Sequence, residues 1–181
     1  MMEQDQDTDL YIKYGETGDP KLFRALWDKY KGAVLTTIMR ITLLPKEGAE
    51  DILQEVFIKV MDERGRFTPK AKFGTWLYRM AVNRSYNAVR DKKEQVEIDD
   101  RLPDEKADYA LDRLVDKERA IVLKKALGEL NERQRAALTL REFQEKSYAE
   151  IAEIMEVSLD AVESLLFHAR TKLKSILKGR I

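Results

Sequence analysis

Apolar residues recur at three- and four-residue spacing along almost the whole chain, and no segment shows the sustained two-residue alternation typical of β-strands. The pattern predicts an all-α fold. Asp19 followed by Pro20 has the N-cap and first-turn chemistry of a helix start, and a second helix is expected to begin near Pro45. A third long helix is predicted from about Lys72 to Arg90.

Polar residues form an arc beside the apolar face of this third helix. On a wheel of 3.6 residues per turn, the apolar face gathers Phe73, Leu77, Met80, Ala81 and Ala88. The arc spans about 80° and contains Trp76, Arg79, Asn83, Asn87 and Arg90. Periodicity alone favours a tryptophan that covers the edge of the core beside solvated polar groups. A second interpretation is a surface on which unpaired bases stack while amides read base edges and arginines hold phosphates. It is supported by the nearby positive charge of Lys72, Arg84, Lys92 and Lys93.

The composition changes after Lys93, because residues 94–112, EQVEIDDRLPDEKADYALD, hold many carboxylates, one proline and few large apolar groups. The change predicts an acidic flexible linker at 94–115, which joins a small helical domain at 1–93 to another at 116–181. Two interpretations of the linker stay open: a passive tether, or an acidic strand that occupies a basic groove in place of nucleic acid.

The C-terminal part predicts a helix-turn-helix unit. Asn131 is suited to cap one helix, Ser147 and Glu150 have the spacing of a capping box, and Ser158 is placed to cap a longer helix after a short turn. The second helix of such a unit enters a major groove of DNA, although an ordinary helical hairpin has the same pattern. Basic residues on the last helix favour DNA because they neutralise phosphates, and these are Arg170, Lys172, Lys174, Lys178 and Arg180.

The overall composition limits the function more than it identifies it. The 181 residues contain 33 basic and 33 acidic side chains, so a nucleic-acid partner has to be sought in local charge segregation. With no cysteine and one histidine, we expect no metal, no cofactor and no enzymatic activity. No apolar stretch approaches the roughly 20 residues that cross a bilayer, and the chain starts with acidic residues. We therefore expect a cytoplasmic protein without membrane insertion.

Five segments in order make the chain recognisable: GDPKLFRALWDKY, AEDILQEVFIKVM, FGTWLYRMAVNRSYNAVR, LNERQRAALTLREFQEKSYAEIAEIMEVS and AVESLLFHARTKL. Together they resemble the extracytoplasmic-function sigma factors of bacterial RNA polymerase, in the sigma-70 family. The resemblance implies a region 2 helical bundle at residues 1–93 and a region 4 helix-turn-helix domain at 116–181. It also implies a promoter-specificity subunit that binds core RNA polymerase at the β′ clamp helices and β flap. The other implied partners are promoter DNA, as duplex and as melted single strand, and an anti-sigma factor.

The resemblance further assigns residues to three surfaces. The surface that docks on polymerase would comprise Asp51, Gln54, Glu55 and Ile58. The surface that melts and reads the minus-ten element would comprise Arg66, Phe67, Lys70, Lys72, Phe73, Trp76, Arg79, Asn83, Arg84, Asn87 and Arg90, with Asn83 a stronger candidate for a base contact than Trp76. The surface that reads the minus-thirty-five element would comprise Ser158, Asp160, Ala161, Glu163, Ser164, Phe167, His168, Arg170 and Lys172.

The sequence departs from the family pattern in two places. On the recognition helix, Glu163, Leu165 and His168 occur where many relatives carry basic residues. Glu163 either accepts a hydrogen bond from a cytosine amine or faces solvent. Glu156 occupies a turn position often held by glycine, where a left-handed backbone costs another residue roughly 1 kcal/mol. Two further classes of function stay open. They are a stand-alone helix-turn-helix regulator, supported by residues 131–178, and a purely protein-binding helical adaptor.

Overall fold

The computed structural model describes residues 5–67, 70–98 and 117–178, and every regular element in these ranges is an α-helix. The all-α prediction is therefore confirmed. Residues 99–116, which include most of the predicted linker, lie outside the described residues. The helices are α1 (Gln6–Thr17), α2 (Pro20–Thr42), α3 (Lys46–Asp62), α4 (Phe73–Ile98), α5 (Lys117–Gly128), α6 (Glu132–Glu142), α7 (Tyr148–Met155) and α8 (Leu159–Lys178).

The first helix, α1, was not predicted from the sequence. The Asp5 side chain accepts a hydrogen bond from the backbone N–H of Thr8, which caps the helix. Tyr11 is fully buried, and its hydroxyl donates to the carbonyl of Val60 at 2.6 Å. The Thr8 hydroxyl accepts from the backbone N–H of Phe73 at 2.8 Å. Through these contacts α1 is fixed to the end of α3 and to the beginning of α4.

Helices α2, α3 and α4 start where the sequence predicts, within a residue. Asp19 caps α2 by accepting from the backbone N–H of Lys21 at 2.9 Å. On α4 Ala88 of the predicted inner face is half-buried against the core, and Val89 and Ser85, which the prediction left out, are buried. The helix also continues to Ile98, past residue 93, where the first domain was expected to end.

The last three helices form the predicted helix-turn-helix arrangement. Ser147 and Glu150 make both hydrogen bonds of the capping box on α7. The Ser158 hydroxyl accepts from the backbone N–H of Ala161 at 3.2 Å at the start of α8. Between them Glu156 adopts the left-handed conformation, with φ of 55°. Residues that pack α8 inward are Val162, Leu166 and Ala169.

Helices α1–α4 and helices α6–α8 pack around one continuous apolar core. Helix α2 packs on α6 and α4 packs on α7, and the apolar cluster runs without a break from Ile38 on α2 to Leu140 on α6 and Ile154 on α7. At this boundary the buried Arg135 guanidinium donates to the carbonyls of Ile41, at 2.7 Å, and of Leu130. Burial lowers the pKa of Arg135, while carbonyls at helix C-terminal ends favour a cation there.

Candidate nucleic-acid interface

A groove of about 770 Å³ lies between α3, the segment after it and the first half of α4. It brings together side chains from α3, from the segment that follows α3 and from α4. Of the predicted minus-ten residues, those that line it are Arg66, Phe67, Lys70, Trp76, Arg79, Asn83, Arg84 and Asn87. Lys72 and Arg90 are exposed but do not line the groove, and residues 68–69 lie outside the described residues. The polar arc of α4 is therefore one wall of a concave surface.

Aromatic rings form the floor of this groove. The half-buried Trp76 packs on Phe67 with ring centroids 4.9 Å apart and on Tyr11 at 5.4 Å. Phe73 lies beneath them, fully buried against Tyr11 and Tyr30. The prediction that Phe73 contacts DNA is therefore wrong for this conformation, since its ring belongs to the core. Trp76 covers the core, as periodicity favours, and it also borders the groove, so base stacking on it stays a prediction.

Hydrogen-bonding groups are unevenly engaged along the groove. The amides of Asn83 and Asn87 make no hydrogen bond within the described residues, so both are available to base edges. Arg84, in contrast, forms an ion pair with Glu55 of α3. This pair joins a residue expected to bind DNA to one expected to bind polymerase.

Arg79 is occupied by the helix-turn-helix unit. One of its terminal nitrogens donates to the carbonyl of Glu153 at 2.9 Å, and the other lies 3.7 Å from the carboxylate of Glu156. Glu156 also lines the groove. The left-handed turn between α7 and α8 therefore places a carboxylate at the rim of the basic surface on α4. Sequence reasoning marked Glu156 as a departure but gave no partner for it.

The outer face of α3 presents the four predicted docking residues side by side. Asp51, Gln54, Glu55 and Ile58 are exposed at helical spacing on one face, and the Ile58 side chain is 56% exposed. Met61, three residues further and 40% exposed, extends the apolar end of this face. The sequence analysis missed Met61, although its spacing from Ile58 is the signal that would have found it.

Helix α8 offers DNA a different kind of face. Its exposed residues include Asp160, Glu163, Ser164, Phe167 and His168, whereas Ala161 is half-buried. The two cations expected to contact DNA are bound within the protein. Arg170 donates to Glu142 at 2.7 Å and to the Tyr148 hydroxyl, which raises the pKa of Arg170, and Lys172 donates to the carbonyl of Glu129.

Comparison with known proteins matches two parts of the chain to two families of domain. The family described as Sigma-70 region 2 matches residues 26–95, and Sigma-70, region 4 matches residues 120–173. The RNA polymerase sigma-H factor of Pseudomonas aeruginosa is 32% identical over 189 aligned positions, which cover 98% of this chain and 97% of that protein. The chain belongs to the sigma-70 family. The ECF RNA polymerase sigma-E factor of Escherichia coli K12 is 31% identical over 94% of this chain and 93% of its own length, which places the chain in the extracytoplasmic-function group.

The groove on α4 thus lies in region 2 of a sigma factor, and α8 lies in region 4. Helix α1 precedes the matched part of region 2. The same fold occurs in the sigma factor RpoE in complex with the anti-sigma factor NepR from Bartonella quintana, with a TM-score of 0.67 and 23% identity over 88% of this chain and 98% of that one. Within the described ranges, no helix is long and apolar enough to span a membrane.

Proposed function

We propose that this sigma factor docks on core RNA polymerase through the outer face of α3 and holds the melted minus-ten strand in the groove on α4. The observation that carries the proposal is the groove itself, which combines a stacking floor, free amides and cations in one concave surface. Unpaired bases need a π-face for stacking, polar groups for their edges and cations for the phosphates. Trp76, Asn83 and Arg66 respectively supply these three functions.

Opening the duplex is an equilibrium shifted by binding rather than a bond-breaking reaction. Unstacking costs a few kcal/mol per step, and a base that is captured on protein regains stacking and hydrogen bonds. Asn83 and Asn87 lie one turn apart on α4, so they can follow successive bases of one strand. We propose that the role of the protein, in the bacterial cytoplasm, is binding rather than catalysis.

Docking and strand capture share the Glu55–Arg84 pair. A polymerase group that binds Glu55 releases Arg84, which can then hold a phosphate. The β flap is assigned to a second surface, an apolar groove of about 500 Å³ in region 4 between α5, α6 and α8. Leu123, Leu138, Phe143 and Leu173 form it, Lys174 and Lys178 form a basic rim, and Arg170 at this rim is paired with Glu142. These residues suit a helix with an apolar stripe and acidic flanks.

Helix α4 of the first domain packs on α7 of the second, in what we call the closed form, and this contact has to be lost when both domains bind a promoter. The minus-ten and minus-thirty-five elements are about 25 base pairs, or roughly 85 Å, apart at 3.4 Å per pair. A compact chain of 181 residues has a radius of gyration of roughly 16 Å. It cannot reach both elements while α7 lies on α4, so engagement of both releases Arg79 from Glu153 and Glu156. The relative RpoE forms a complex with an anti-sigma factor, and we propose that an anti-sigma factor acts on this protein before this step by binding the closed form.

Run-off transcription with bacterial core polymerase tests the proposal. The protein is added to core enzyme on a library of genomic fragments, and transcript starts are sequenced. We expect discrete new starts that share two upstream motifs. A folded protein that yields no polymerase-dependent starts, and that binds duplex DNA tightly alone, would instead be a stand-alone helix-turn-helix regulator. Strand capture is tested separately by permanganate reactivity of minus-ten thymines at the new starts.

A further inference from the structure

The outward face of α8 lacks the cations that usually bring a helix to DNA. From Leu159 to Ala169 the sequence contains no lysine or arginine, and two of the exposed side chains are carboxylates. Glu163 makes no hydrogen bond or ion pair with any described residue. One helical turn further, Phe167 leaves 66% of its surface in solvent, with only an edge-on ring contact to His168. A single exposed ring is not in itself a sign of an interface, but this ring lies one turn from Glu163 on the same outward side of α8.

Contacts behind the helix keep this face in place. Arg170 bridges α8 to Glu142 and Tyr148, and Lys172 binds the carbonyl of Glu129. The inward side chains of Val162, Leu166 and Ala169 are fully buried. Arg170 and Lys172 therefore help to position α8 on region 4, while the Glu163 carboxylate and the Phe167 ring are exposed on the outward side.

We infer that Glu163 and Phe167 determine the specificity of region 4, with Glu163 reading a cytosine and Phe167 a thymine of the minus-thirty-five element. The inference rests on the proposed function, in which α8 enters the major groove. There a carboxylate can accept only from an amine, and cytosine N4 is favoured over adenine N6 because the adenine N7 acceptor beside N6 repels a carboxylate. The thymine methyl group is the apolar feature that a phenyl ring can cover.

The geometry also limits where the two bases lie. Residues four apart on a helix are separated by about 6 Å along its axis, and base pairs stack at about 3.4 Å. The cytosine and the thymine therefore lie within one or two base pairs of each other. Because phosphates repel a carboxylate, Glu163 is stable in the groove only when its oxygens reach a base amine rather than the backbone.

The experiment uses holoenzyme made from the full chain and core polymerase, on a promoter identified by run-off transcription with its minus-thirty-five element randomised. The wild type should enrich cytosine and thymine at two nearby positions. Glu163→Gln should change the preferred pair at the cytosine position to one with adenine, because a glutamine amide pairs with adenine. The expected change in preference is roughly tenfold. Glu129→Gln, an equal charge change at an exposed position of region 4, should leave the selected sequence unchanged.

Deoxyuridine in place of thymine tests the ring, because it removes the methyl group alone. Wild-type holoenzyme should initiate several-fold less on the deoxyuridine template, and Phe167→Ala should initiate equally on both. An unchanged base profile for Glu163→Gln would overturn the assignment of Glu163, and equal wild-type use of both templates would overturn that of Phe167. Failure of the proposed function is distinct, since the wild type would then give no polymerase-dependent starts.

Discussion

The two surfaces that we propose face DNA are built on opposite principles. The α4 surface is concave, floored by Phe67 and Trp76, and rich in amides and cations. The α8 surface is convex, and its reading residues, Glu163 and Phe167, project into solvent. Unpaired bases expose their faces and have to be enclosed, whereas bases in a duplex expose only their edges in a groove that a narrow helix enters. The shapes of the two surfaces correspond to these two states of DNA.

The two surfaces also differ in what supports them. Helix α4 depends on α1, whose Tyr11 contacts Phe67, Phe73 and Trp76 beneath the groove. Helix α8 is held by the buried side chains of Val162, Leu166 and Ala169, and polar contacts such as Arg170 to Glu142 add to them at the surface. The α4 surface should therefore be disrupted when a buried aromatic ring beneath it is replaced by a smaller side chain. The α8 surface should be disrupted when contacts that hold the helix in place are removed.

The largest effect is expected from Tyr11→Ala. Removing a buried aromatic ring costs about 3–5 kcal/mol of unfolding free energy, and the cavity would lie directly below the groove. Urea unfolding followed by circular dichroism measures this loss. Tyr11→Phe is the matched control, because it loses only the hydrogen bond to the Val60 carbonyl, at a cost of roughly 1–2 kcal/mol. Equal stability of Tyr11→Ala and Tyr11→Phe would show that α1 does not support the groove.

A smaller effect, on function alone, is expected from Asn83→Ala. Its free amide lies in the groove, and loss of one amide–base contact should reduce open-complex formation about tenfold. Permanganate reactivity of minus-ten thymines measures opening, and polymerase affinity should not change.

The reciprocal variant carries Asp51→Ala and Gln54→Ala on α3. It should weaken binding to core polymerase, because both side chains are exposed on the docking face. At saturating sigma factor its open complexes should be normal. If Asn83→Ala instead reduced polymerase affinity, or the double variant reduced opening at saturation, docking and strand capture would be coupled through more than the Glu55–Arg84 pair.

Local chemistry was predictable from the sequence, whereas tertiary packing was not. The capping bonds of Asp19 and Ser147 depend only on nearby backbone, so a short pattern was sufficient to find them. Helix α1 was missed because its acidic residues obscure a stripe that consists mainly of Tyr11 and Tyr14. Burial of Arg135 could not be predicted, since it depends on the carbonyl of Ile41, which is 94 residues away in the chain.

The same limit applied to the two surfaces. Trp76 and the α4 amides were found by helical period, because they share one helix. The closure of α7 over Arg79, and the use of Arg170 inside region 4, require knowledge of which helices meet. Periodicity shows which face of a helix is apolar, but it does not show which other helix packs on that face.

An effect of about 1 kcal/mol is expected at the turn that joins the surfaces. Glu156→Gly removes the strain of a left-handed non-glycine residue, so it should raise the unfolding free energy by roughly 1 kcal/mol. Glu156→Ala removes the same carboxylate but retains the strain, and should change stability by less than about 0.5 kcal/mol, since exposed ion pairs contribute little. Urea denaturation of both variants measures the difference. Equal stability of the two would assign the effect to the carboxylate rather than to the backbone.

The smallest effect is expected from Arg170→Ala on the salt dependence of promoter binding. A residue that neutralises one phosphate contributes about 0.9 to the slope of log affinity against log salt concentration. Because Arg170 is bound to Glu142 and Tyr148, we expect the slope of holoenzyme binding to change by much less than this amount. Unfolding free energy should fall by roughly 0.5–1 kcal/mol through loss of the ion pair. A slope reduced by a full phosphate contact would mean that Arg170 leaves Glu142 on DNA, and that α8 uses cations as α4 does.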